Sequence, residues 1–418
     1  MPASSGPERA RERRCPQRQL KAGLVVAAAA LFWQLDTAAA AEDGEDKFGA
    51  TAAVGLTGED NVFRQPGATG PQSDSYRTIS AGLRLDLPVS GQRFRGEAAG
   101  SDQHFDKFSE LDHQAWSLRT AWLWQAGRRL DGRVGYSAES VLSSLANLRS
   151  GTQSAAPNQL RIQRFDAEGA INVGVRWLLG AGVERIEHHN NSSQFQTSDM
   201  QRDGGSATLT YESPSGNSIG VYANYADATL PNLQSVGLLR VDNSYRQHRM
   251  GGLLQWTPAA KSRFDVRGGY VARDHRQFPQ RDLSTWTGSV SYEWRPSSRV
   301  AVVAVAQRDV SEWEQVNVGY VLARSIALRP AFSVGPRTQI SLNLESSHRI
   351  YRGDVALGPV SSPGTFRESL VIAGLTVDFR LTPAFGLRMF GRHEGRRASD
   401  TVPEYGASLY GLELRANF

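Results

Sequence analysis

Ser101–Asp106 reads SDQHFD and brings a hydroxyl, an imidazole and two carboxylates into one short stretch. Serine, histidine and a carboxylate are the parts of a nucleophilic relay, but such a relay is defined by its arrangement in space, which a contiguous stretch does not supply. Gly58–Arg64, GEDNVFR, offers Glu59, Asp60 and Asn61 as oxygen donors for a hard cation, without the spacing of an established cation loop. His188 and His189 are adjacent, and neighbours on an extended chain point to opposite sides, so they cannot present two imidazoles to one metal. His104, His348 and His393 show no ligand spacing. Cys15 is the only cysteine and precedes the long apolar run near the start, so the rest of the chain holds neither a disulfide nor a thiolate. The reading is of a protein that is not an enzyme, with no catalytic residue, no metal site and no cofactor.

The more regular chemical signal is charge repeated at a spacing of two. Arg84, Arg93, Arg95, Glu97, Arg119, Arg129, Arg133, Glu168, Arg176, Arg263, Arg267, Glu293, Arg380, Arg388, Glu413 and Arg415 occupy one parity of their segments, and apolar residues occupy the other. In Ile79–Leu87 the apolar set is Ile79, Ala81, Leu83, Leu85 and Leu87; in Val371–Leu381 it is Val371, Ala373, Leu375, Val377, Phe379 and Leu381. Period-two alternation marks a β-strand whose two faces meet different media. No convincing amphipathic helix interrupts it.

The interruptions are of two kinds that take turns along the chain. PVSG (Pro88–Gly91), SPSG (Ser213–Gly216), TPAAK (Thr257–Lys261), RPSS (Arg295–Ser298) and LTPAF (Leu381–Phe385) carry tight-turn residues. Between them lie longer polar stretches, among them Gly58–Ser75, Ser143–Asn158, Glu187–Asp199, Asp227–Asp242 and Gly353–Thr365. This bookkeeping predicts about 18 strands, 16 to 18, with tight turns at one end and long loops at the other.

In a bilayer every backbone polar group must be paired within the protein, so strands span only as a closed barrel. The expected fold is therefore all-β, a transmembrane antiparallel up-and-down β-barrel in a bacterial outer membrane, its apolar parity against lipid and its charged parity inside. Trp116, Trp122, Trp124, Trp177, Trp256, Trp286 and Trp294 fall on the apolar parity, several near strand ends, where amphipathic rings favour the membrane interface. A lipid-facing Arg at mid-depth costs on the order of 2–4 kcal/mol, so the charged residues belong within, where guanidinium forks would hold carboxylate or hydroxyl oxygens.

The start of the chain has the order of a secretory leader: Arg9 to Lys21 basic, Ala22 to Trp33 apolar, then the small residues of TAAAAED. Residues 1–41 are read as a signal peptide and 42–418 as the barrel. Without the leader the chain holds 41 basic and 39 acidic groups, which leaves no global footprint for nucleic acid. Mean hydropathy is −0.41, too low for a helical membrane protein.

GEDNVFR, then SDSYRTISAGLRLDLPVSGQRF (Ser73–Phe94) and FSELDHQAWSLRTAWLW (Phe108–Trp124), resembles the outer-membrane β-barrels encoded with exopolysaccharide biosynthesis systems, the β-barrel porin 2 family. The resemblance is clearest over residues 48–135. It implies an exit for secreted polysaccharide across the outer membrane, with the saccharide polymer and the polysaccharide synthesis and export components as partners beside the membrane lipids. A general or solute-specific diffusion porin is the alternative. Such a porin would carry a loop folded into the barrel, and Leu142–Leu160 and Gly58–Ser75 are long enough for that. The terminal Phe418, after Asn417, resembles the end of outer-membrane barrels, whose last strand is read by the barrel-assembly machinery.

Overall fold

The computed structural model describes residues 47–143, 158–236, 239–277, 279–311, 318–353, 366–398 and 404–418. The expected leader and most of the Leu142–Leu160 loop lie outside these. The first nine strands are β1 (Phe48–Glu59), β2 (Asp74–Val89), β3 (Gln92–Phe105), β4 (His113–Ala126), β5 (Leu130–Leu142), β6 (Gln159–Val173), β7 (Trp177–Asn190), β8 (Met200–Glu212) and β9 (Ser218–Thr229). A small hairpin, β10 (Gln234–Val236) with β11 (Leu239–Val241), stands in the connection that follows. The chain continues through β12 (Tyr245–Ala259), β13 (Ser262–His275), β14 (Leu283–Ser297), β15 (Val300–Ser311), β16 (Val318–Val334), β17 (Thr338–Gly353), β18 (Phe366–Arg380), β19 (Phe385–Ala398) and β20 (Tyr405–Asn417).

All strands except the small hairpin form one 18-stranded antiparallel sheet, and β1 pairs with β20 as well as with β2. The seam is sealed by main chain: the Ala50 N–H donates to Phe418 O at 3.0 Å and the Phe418 N–H donates to Ala50 O at 2.8 Å. No edge is left. Tight turns at 90–91, 213–217, 260–261, 298–299 and 381–384 fall where the Pro/Gly/Ser signals put them, and further ones lie at 127–129, 174–176 and 335–337. Gly127 turns with φ +67, a conformation costly for any side chain with a Cβ.

The apolar parity faces outward all round. Val54, Leu56, Ile79, Val183, Val221, Met250, Ile326 and Val371 each expose more than half of their surface, and Ile326 and Met250 expose 67%. In water each such residue would forgo more than half of the roughly 1.5–3 kcal/mol that full burial contributes, a cost removed by a hydrocarbon surround. A closed barrel with an apolar outer belt, tight turns at one end and long loops at the other is an outer-membrane β-barrel. The tight-turn end is periplasmic.

Aromatic side chains mark both edges of the belt. Trp122, Trp177, Trp256 and Trp294 lie near the tight-turn end, with Phe264 stacked between Trp256 and Tyr292. Trp116, Trp286, Tyr270 and Tyr410 lie toward the long loops, and Trp124 sits one outward position below Trp122. Trp286 and Trp294 are eight positions apart on β14, so at ~3.4 Å per residue and a tilt of ~40° they span a depth of roughly 20 Å. This matches the apolar band of such barrels. Replacing Leu375, outward at mid-strand on β18, by Arg is expected to destabilise the barrel by about 2–4 kcal/mol, whereas Thr376→Arg on the inward parity should change little. Urea folding titrations in lipid vesicles measure both.

Candidate functional site

The inward parity carries the charges. Arg93 grips Asp86 with both Nε (2.5 Å) and Nη2 (2.7 Å), and Arg95 reaches the same carboxylate at 3.4 Å. Arg388 donates to Asp378 at 2.7 Å, Arg415 pairs with Glu413, Arg133 with Asp166, Arg263 with Asp265 at 3.0 Å, and Glu293 with Arg295 at 2.5 Å. Glu168 lies opposite Arg133, and Arg267 stands between Leu253 and Ser289 on the inward parity of β13. These pairs gather toward the periplasmic end and brace the wall. Arg380 closes β18 at the turn itself.

Two sequence-named residues stand elsewhere. Arg129 lies in the 127–129 turn, exposed, and Arg176 lies in the 174–176 turn with Nη1 2.9 Å from the hydroxyl of Tyr211. Tyr211 packs edge-on against the outward Trp177, so Arg176 serves the membrane-facing girdle and not the interior. The alternation that placed them inside does not survive the chain reversal at each turn.

Register assembles a feature invisible in any one strand. Cross-strand partners run Arg84, Glu97, Arg119, Ser137, Arg164, Ile186, Arg202 across β2 to β8. Arginine thus recurs on every second strand, at a lateral spacing of roughly 10 Å. Strands in such barrels tilt by ~35–45°, so a row perpendicular to them climbs the wall. Arg84 lies near the periplasmic end of β2 and Arg202 near the outer end of β8. Glu97 lies between Arg84 and Arg119 in the row, while Glu184 sits between Arg164 (3.5 Å) and Arg202 (3.1 Å). Four guanidinium groups against two carboxylates leave the track positive.

At the outer end of the interior the first long loop turns inward. Arg64, in that loop with φ +54, pairs with Glu59, donates to Asn61 O at 2.7 Å, and sets Nε 3.8 Å from Glu394. Burial works against its charge, but the Glu59 and Glu394 carboxylates outweigh it and hold the guanidinium above its ordinary value. Glu394 also accepts from Arg392 at 2.6 Å and from the Tyr405 hydroxyl, and the Arg396 guanidinium lies over the Tyr405 ring at 4.6 Å. Asn61 fastens the loop further, its Nδ2 donating to Gln65 O (2.7 Å) and Gly406 O (2.9 Å).

GEDNVFR therefore fastens a loop. Glu59 is used by Arg64, Asp60 Oδ1 accepts the Ser408 N–H at 2.7 Å, and Asn61 bridges main chain. In SDQHFD, Ser101 and His104 lie on opposite parities of β3, so no serine–histidine relay forms between them; His104 is outward between Asp102 (3.1 Å) and Asp112 (3.2 Å). His188 and His189 lie on β7 and face opposite ways, His189 meeting Asp199 at 3.1 Å. Glu184 and Arg202 were legible by parity but not singled out. Arg64 and Glu394 gave no signal, since a loop has no period and Arg392–Arg397 carries charges on both parities.

The fold and its setting define the class: an 18-stranded β-barrel of the bacterial outer membrane. No family model matches the chain, and no characterised protein matches it by sequence. Among solved structures it is similar to OccK2 (OpdF) of Pseudomonas aeruginosa in complex with glucuronate, at 14% identity and TM-score 0.48, over 89% of this chain and 98% of that one. The outer membrane protein OpdK of the same organism aligns at 11% identity and TM-score 0.46, over 90% and 100%. The siderophore receptor PirA of Acinetobacter baumannii aligns at 9% and 0.44, over 90% and 81%. The likeness is one of architecture alone.

Proposed function

We infer that the barrel is a passive outer-membrane diffusion pore selective for small anionic solutes such as sugar acids. The observation that carries this reading is the climbing row Arg84, Arg119, Arg164 and Arg202 with Glu97 and Glu184 set between them. A barrel of 16–18 strands is wide enough for water, and a guanidinium holds a carboxylate by a two-point fork. The exposed Arg84 and Arg119 and the half-buried Arg164, on strands roughly 10 Å apart, let an anion exchange one weak hold for the next without a deep well, and Arg202, buried against Glu184, ends the row. The first loop turns inward at the outer end, where Arg64 meets Glu59 and Glu394.

A second reading, an exit for exopolysaccharide, draws on the resemblance over residues 48–135. Purified protein in planar bilayers separates the two. The solute-pore reading expects conductance blocked in a saturable way by a monomeric sugar acid such as glucuronate and weakly by its neutral parent sugar. Block by polysaccharide alone, with no response to the monomer, would overturn it in favour of the exit.

A further inference from the structure

We propose that the outer face of β15 to β19, at the level where the apolar belt ends, binds the phosphorylated headgroup of an outer-leaflet glycolipid. Arg308, Arg324, His348, Ser369 and Arg397 are successive cross-strand partners on five adjacent strands, all on the outward parity. Arg367 and His393 flank the row on the same face and are exposed. Two residues toward the periplasm on β16 is Ile326, 67% exposed, and Val371 and Leu344 continue the belt beneath the row. The cations therefore stand where hydrocarbon gives way to headgroups, on the long-loop side.

At several other places on the outer rim cations face carboxylates. Arg185 meets Asp203 at 2.8 Å, Asp227 takes Arg276 at 2.5 Å and Arg246 at 3.6 Å, and His104 lies between two aspartates. Among the described residues, Asp309, Glu345, Glu368, Asp378 and Glu394 of β15 to β19 all lie on the inward parity. Arg308 is held by neutral acceptors, Trp286 O (2.7 Å) and Thr285 Oγ1 (3.0 Å), and His348 by the Ser369 hydroxyl at 3.1 Å. Glu404, just before β20, accepts the Ala398 N–H at 3.2 Å. Like charges directly opposite one another destabilise a sheet, and Arg308 faces Arg324 across one. A phosphate, whose oxygens match paired guanidinium groups, supplies a counter-charge to this row, and the acyl chains of the glycolipid fall against Ile326 and its neighbours.

The test is native mass spectrometry of the detergent-purified barrel titrated with a diphosphorylated lipid A, its dephosphorylated form and inorganic phosphate. The intact protein is expected to retain the phosphorylated glycolipid. Arg324→Gln with Arg397→Gln should weaken it about 25-fold, about fivefold for each guanidinium lost at a membrane surface. Arg185→Gln, across the barrel, should leave it unchanged, and heat-modifiable migration on gels confirms that each variant is folded. Equal retention of the dephosphorylated lipid, no loss in the double variant, an equal loss in Arg185→Gln, or occupancy by inorganic phosphate in place of lipid would each overturn the proposal.

Discussion

Replacing Arg84, Arg119, Arg164 and Arg202 together by Glu is expected to turn an anion-selective pore into a cation-selective one, seen as a reversal potential of opposite sign across a salt gradient. The four changes move the wall by eight charges, against two native carboxylates on the track. At an effective dielectric of ~20, a permeant ion ~5 Å from one unit charge feels ~3 kcal/mol, and the screening length at 0.1 M salt is ~10 Å, comparable to the spacing of the row. Each guanidinium therefore acts on an ion mainly as that ion passes, and the whole row sets the sign. The single change Arg84→Gln should lower anion preference without inverting it, because three guanidinium groups remain further up. An unchanged reversal potential in the fourfold variant, with folding verified by heat-modifiable migration, would mean that ions do not follow this wall.

The second large effect concerns the first outer loop. Arg64→Ala leaves Glu59 and Glu394 facing each other with the intervening guanidinium removed, although Arg392 retains its hold on Glu394. Breaking a buried ion pair from one side costs on the order of 3–5 kcal/mol, far more than loop closure itself returns. The loop is expected to leave the interior. Protease cleavage within residues 60–73 should then accelerate at least about tenfold, and single-channel conductance should rise with added noise. Adding Glu59→Gln to Arg64→Ala relieves the repulsion but restores no tether, so stability should recover while conductance stays high. A double variant with native conductance would place the loop outside the conduction path.

Much of this architecture was open to reading in the chain. Ile79 to Leu87 and Val371 to Leu381 declare their two faces by period alone, because a strand presents successive side chains to opposite sides. The tight turns at Pro88 and Ser213 announce themselves by composition, and the apolar parity could have no home but lipid once the charges were gathered on the other. Where the reading strayed, at Arg129 and Arg176, it extended a strand's parity into a turn. Within GEDNVFR it saw three oxygen donors, whereas the fold commits each of them to the chain itself.

Periodicity along one strand says which face a residue occupies, and that much the amino-acid order determined here: a barrel, its inside and its outside. It says nothing of which residue on the next strand lies beside it, since that offset is set by turns, loops and the closing seam between Ala50 and Phe418 acting on all strands together. Only tertiary structure aligned Arg84 with Arg202 across seven strands, set Arg308 against Arg324 on the outer rim, and brought Arg64 to Glu394 across 330 residues of chain. The first two are matters of register between successive strands, and the last exists only because the sheet closes.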